Sequence, residues 1–177
     1  MCESGWYMQS PLEEKLINSY KDEMISFLID NPGYFNEAIE LAVSDKPTLS
    51  WRAAWLLWSC MEKNDKRVKK HINTILKCMN RKPDGHKREL LKILSFMKLN
   101  ETQEGKLFNV CMDTWEQIDK APSVRFSALK FIVGILKKHP ELSEEVVFLT
   151  QEQYLKTLSP GIKNAVGSLM GEFVQSD

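Results

Sequence analysis

DKAPSVRFSALKFIV, residues 119–133, decides the fold. Pro122 cannot continue a helical ladder and disfavours helix in the residue before it, so it marks a turn. Behind it opens an apolar helical run in which Ala128 and Phe131, three apart, share one face. The same phrase returns as SDKPTLSWRAAWLLWS at 44–59, RKPDGHKRELLKILSF at 81–96 and LSPGIKNAVGSLMG at 158–171. Pro47, Pro83, Pro122 and Pro160 lie 36, 39 and 38 residues apart. Three to five residues after each stands a basic residue: Arg52, Arg88, Arg125 and Lys163. A fixed period of this length indicates stacked helix pairs.

Working outward, each proline turn separates two helices. First members are expected at about 33–44, 66–80, 103–118 and 143–157, and second members at about 50–62, 85–98, 123–138 and 161–174. Val68, Ile72, Ile75, Leu76 and Met79 form one stripe on a first member, and Leu107, Cys111, Trp115 and Ile118 another. With the four basic residues aligned, the third residue on is Trp55, Leu91, Ala128 or Val166. The sixth is Trp58, Leu94, Phe131 or Leu169, again apolar. This register expects Arg52, Arg88 and Arg125 at equivalent places. Pro11 opens one further helix that the NPG at 31–33 ends, an N-terminal cap on the array. Residues 1–11 read as a tail and 12–177 as one all-α domain.

Turns carrying an aspartate and a proline, followed by helices such as SVRFSALKFIV, SWRAAWLLWS and HKRELLKILSF, resemble the HEAT-repeat family. GIKNAVGSLMG is a weaker fourth copy, and the resemblance covers roughly residues 33–174. It implies a right-handed α-α superhelix of about four pairs. It also implies a ladder of turn aspartates and helix arginines between repeats, here Asp45, Arg52, Asp119 and Arg125, with Asp84 and Arg88 as further members. Asp84 lies one residue too close to its helix to fit the pattern well. The function implied is a non-catalytic scaffold or adaptor for a protein partner.

Charge is uneven although the net is zero. Residues 1–62 carry a net −6, 63–98 a net +9 and 99–177 a net −3. The basic middle is either a solvated face, a site for an acidic protein or a nucleic-acid-binding module over 63–98. Its cations divide between KNDKRVKK at 63–70 on a first helix and Arg81, Lys82, Lys87, Arg88 and Lys92 on the turn and second helix. These last five, with Trp51, form the candidate binding surface. Trp51, Trp55 and Trp58 share a helix face, and Trp51 is the one outside the two apolar repeat positions.

The catalytic inventory is thin. His71, His86 and His139 stand apart, with no metal-ligand spacing, phosphate loop or nucleophile motif around them. No catalytic residue, metal ligand or cofactor is therefore nominated, and a groove site assembled only by folding stays open. Cys60, Cys78 and Cys111 fall in apolar patterns and, with Cys2, suit reduced thiols. MCESGWYMQSP has no signal-peptide order, and no apolar stretch reaches bilayer length, so a cytoplasmic setting is expected. Gly167 and Gly171 in the last helix suggest close packing on the preceding helix, or self-association at the end of the array.

Overall fold

A computed structural model describes residues 9–174. Most of the expected tail, residues 1–8, lies outside the described residues, as does Cys2. The helices are α1 (Pro11–Asn18), α2 (Lys21–Asp30), α3 (Phe35–Val43), α4 (Pro47–Cys60), α5 (Lys66–Lys69), α6 (Ile72–Cys78), α7 (Asp84–Ser95), α8 (Glu101–Glu116), α9 (Pro122–Lys138), α10 (Ser143–Val146), α11 (Glu152–Leu155) and α12 (Pro160–Val174). No strand occurs among the described residues.

Two layers result. In the second-helix layer, α4 packs on α7, α7 on α9 and α9 on α12. In the first-helix layer, α3 meets α5 and α6, and α6 meets α8. Within pairs, α3 lies on α4 and α8 on α9, while α1 and α2 cover the open side of α4. One continuous apolar core runs between the layers, from Leu12 through Leu57, Leu90 and Leu129 to Met170. The four prolines do the turning. Pro47 and Pro122 occupy the first turns of α4 and α9, where a missing N–H costs nothing; Pro160 opens α12 and Pro83 stands just before α7.

Three expected helices are broken, and carbonyl use explains two of them. The expected single N-terminal helix breaks at Ser19, whose carbonyl accepts a bond from Arg52 Nη2 at 2.6 Å. The expected 143–157 helix survives only as α10, a 3-10 turn and α11. There Leu149 O accepts from Trp115 Nε1 at 3.0 Å, and Tyr154 O accepts from Arg125 Nη2 at 2.6 Å. Carbonyls held by core side chains are diverted from the helical ladder. The expected 66–80 helix is interrupted at Lys70–His71. Lys66, Arg67, Lys69 and Lys70 crowd that turn, and like charges four apart destabilise a helix.

The expected register needs correction. Buried polar residues of the second-helix layer include Ser50, His86 and Arg125, each three residues after its proline. Arg52 and Arg88 lie five residues after theirs and are half-buried. Counting from proline, their counterpart in α9 is Ser127, not Arg125. The three arginines are therefore not equivalent. The slot they were expected to share holds serine, histidine or arginine. Each uses a polar atom toward the end of a first-layer helix: Ser50 to Ser44, His86 Nε2–H to Ala42 O at 2.8 Å, and Arg125 Nε to Trp115 O at 2.9 Å.

Gly167 and Gly171 are corrected as well. A Cβ added at either meets no heavy atom within 4 Å, so neither serves a close approach within the chain.

Candidate functional site

Two kinds of polar group must be separated: those that join the repeats and those left on an open surface. The joining set is extensive. Asp45 accepts from Lys82 Nζ at 2.6 Å, and the same ammonium reaches Ser44 O, so the first proline turn is tied to the second. Lys82 is buried while Asp45 is exposed, and the bond holds the Asp45 carboxyl below its ordinary range. Asp84 takes the next rung: its Oδ2 accepts from Ala121 N at 2.7 Å, and Lys120 lies 3.4 Å from its Oδ1. Asp84 thus joins two repeats through a backbone amide and a lysine rather than through an arginine. Asp119 is exposed and enters only through its charge near Arg125.

Arginines tie repeats through carbonyls. Arg125 is 0% exposed and donates to three acceptors: Trp115 O, Tyr154 O at 2.6 Å and Thr157 Oγ1 at 3.0 Å. Its guanidinium also lies 4.7 Å from the Trp115 ring centre, a cation–π contact. Arg52 crosses the other way, to Ser19 O and Met24 Sδ, which fixes α1 and α2 onto α4; its Nε is buried without an acceptor.

The residues expected to form one binding surface fall into three places. Trp51, Arg81 and Lys82 meet at the turn end, around a cleft of about 560 Å³ floored by Pro47, Pro83, Gly85 and His86. Trp51 is 37% exposed and its indole lies over Gly85, where an added Cβ would sit 3.7 Å from Nε1. Lys87 is turned inward, away from both surfaces. Burial pulls its pKa below the ordinary lysine value, helped by the charge of Lys120 and opposed by Asp84 and Asp113. Arg88 and Lys92 stand over Glu89 on the open face of the second-helix layer. Glu89 is wholly buried, bonded by Arg88 at 2.8 Å and Lys92 at 3.0 Å.

That open face carries features the sequence reading did not nominate. Trp55 and Trp58 are partly exposed rather than sealed in the core. Lys21 lies over Trp55 at 5.4 Å and Lys92 over Trp58 at 4.4 Å. Trp58 meets Phe96 edge to face at 6.3 Å, and its Nε1 is buried without an acceptor. Next to this pair, a cleft of about 460 Å³ runs between α7 and α9, lined by Leu94, Phe131 and Ile135 and edged by Lys92, Lys130 and Lys138. The signal was present in the sequence: Lys130, Gly134 and Lys138 recur at helical spacing on α9, but no charge run draws the eye to them.

Burial also shifts several other titratable groups. Burial depresses His86 and His71 below the usual histidine value. Burial raises the Cys60, Cys78 and Cys111 thiols, which are free, and Cys111 the most strongly. Among the described residues, no group of three or more His, Cys, Asp or Glu side chains could hold a metal, and no helix is long and apolar enough to cross a membrane.

A family model described as HEAT repeat domain matches residues 8–173. No curated protein and no solved structure matches the chain.

Proposed function

The chain belongs to the HEAT repeat domain family, and from that premise we propose that it is a non-catalytic scaffold or adaptor that binds a protein partner on the open face of its second-helix layer. One observation carries the reading. The buried charged side chains Lys82, Glu89 and Arg125 are engaged in internal bonds, whereas the open face offers Trp55, Trp58, Phe96 and lysine ammonium groups. Aromatic surface with a polar rim is the composition of protein interfaces. In this reading 12–177 act as one domain, joined by Ser10 and Pro11 as the cap and first residue of α1, and the reduced thiols Cys60, Cys78 and Cys111 suit a cytoplasmic setting.

The alternative, a nucleic-acid module over 63–98, has one supporting observation: tryptophans and cations share a face, as in single-strand binders. The charge tells against it. Of the second-repeat cations, Lys82 and Lys87 are buried, and Arg88 and Lys92 are paired with Glu89. Lys63, Lys66, Lys69 and Lys70 belong to the first-helix side. Self-association, as a further alternative, would use the exposed glycine face of α12 at Gly167.

Photo-crosslinking in the source cells tests the reading. A photoreactive residue at Trp55 or Ser95 should trap protein, and one at Thr74, exposed on α6, should not. Adducts with nucleic acid from the first two positions would favour the alternative. Equal protein adducts from all three would refute a defined face.

A further inference from the structure

We propose that the cleft between α7 and α9 is a docking groove for an acidic peptide segment that inserts one large apolar side chain. This rests on the protein-scaffold reading and names the chemistry of its partner. The cleft is enclosed by the C-terminal halves of α7 and α9, the 96–99 connection and Trp58 of α4. Its volume of about 460 Å³ lies in the range of specific small sites. Leu94, Phe131 and Ile135 make it apolar, and Phe96, at 39% exposure, is one of few large apolar side chains left open among the described residues. An anchor side chain entering there covers that surface.

Rim charge selects the flanking chemistry. Lys92, Lys130 and Lys138 line the cleft against a single carboxylate, Glu104, which Lys138 already holds. Below the rim, Glu89 is neutralised by Arg88 and Lys92. Among the residues lining the cleft, three cations therefore face one carboxylate. Lys130 lies 4.7 Å from the Phe126 ring and has no carboxylate partner among the described residues. A surplus of positive charge around an apolar slot attracts carboxylates flanking an apolar anchor, and steers their approach. A nucleic-acid backbone needs a longer cationic track than this rim supplies.

Hydrogen bonds hold the backbone where the anchor enters. Asn64, in the left-handed conformation at φ 57°, donates its N–H to Phe96 O at 2.7 Å and accepts from Lys98 N through its side chain at 3.2 Å. The loop that carries Phe96 is thereby clamped to the preceding turn, which lowers the ordering cost of binding. Gly134 lines the cleft, and a Cβ built there meets no atom within 4 Å. A leucine at that position occupies the groove without disturbing the core.

The test pans a random dodecapeptide phage library against the full chain and titrates the enriched sequences as fluorescein-labelled peptides at physiological salt. The expected consensus is an aromatic residue or leucine flanked by aspartate or glutamate, binding at about 1–100 μM. Gly134→Leu and Lys130→Glu should each weaken binding about tenfold or more. Gly134→Leu should melt no lower than the wild type, which excludes unfolding as the cause. Trp51→Ala, on the other cleft, should bind unchanged. A basic or uncharged consensus, no enrichment, or indifference to Gly134→Leu overturns the groove. Peptides lost on Trp51→Ala but not on Gly134→Leu overturn the groove while leaving the scaffold reading standing. Duplex DNA or single-stranded RNA that binds and is blocked by Gly134→Leu overturns both.

Discussion

Replacing Arg125 by methionine should loosen the C-terminal repeat before anything else. Arg125 is fully buried and donates to Trp115 O at 2.9 Å, Tyr154 O at 2.6 Å and Thr157 Oγ1 at 3.0 Å. Methionine fills much of the same volume, so the cavity term is small. Thr157 is exposed and water can replace its partner, but the Trp115 carbonyl is left buried and the Tyr154 carbonyl half-buried without their donor. An unsatisfied buried group costs about 1–3 kcal/mol, so two cost about 2–6 kcal/mol. Against this, the variant no longer desolvates a guanidinium, which returns part of the loss. The net expectation is about 2–4 kcal/mol, a large share of the roughly 5–15 kcal/mol that holds a typical domain. At about 2–4 °C per kcal/mol for a chain of this size, Tm should fall by about 5–15 °C. Arg125→Lys should lie in between, because one ammonium cannot reach all three acceptors. Urea denaturation gives the magnitude and hydrogen exchange gives the place. Amides of 143–158 should lose protection first, with those of α4 and α7 little changed. A loss under about 0.5 kcal/mol, or one spread evenly over the chain, would refute the reasoning.

Further outcomes follow from the same contacts. His86 is buried and its pKa lies below the ordinary value, so the unfolded state binds the proton more tightly. Its share of stability is complete above about pH 6.5 and is lost as pH falls through the depressed value; His86→Gln should flatten thermal denaturation between about pH 7 and pH 5. Gly134→Ala should stabilise by up to about 1 kcal/mol, since the helix gains a better former and the added Cβ meets open space; urea midpoints check it. Cys111, fully buried with a raised thiol pKa, should stay unlabelled by a thiol reagent in the native protein and react only on unfolding, while Cys60, partly exposed, reacts first of the three described cysteines.

The fold was legible because its punctuation is local. A proline needs no partner to end a helix, so Pro47, Pro83, Pro122 and Pro160 mark the turns whatever surrounds them. The register was harder because arginine served as the marker. The buried slot three residues after each proline needs only a polar atom that reaches a first-layer group, and serine, histidine and arginine all supply one. Arg52 and Arg88 imitate the motif from a different helix face. Asp45 and Asp84 were recognisable as turn residues, but their partners Lys82 and Ala121 come from the next turn, and no local pattern announces them. The basic second repeat promised a single surface. Burial of Lys82 and Lys87 and the pairing of Arg88 and Lys92 with Glu89 divided it. The α7–α9 cleft joins residues from four helices around Trp58, Leu94, Glu104 and Phe131, a juxtaposition that only the stacking creates.

The most direct measurement of the central claim is a hydrogen-exchange footprint of the full chain, free and saturated with the protein partner that photo-crosslinking captures. Exchange should slow in α4, α7 and α9 along the open face, centred on 55–58, 92–99 and 130–138, with α3, α6 and α8 unchanged. Protection confined to the first-helix layer, or none in the second, would contradict it.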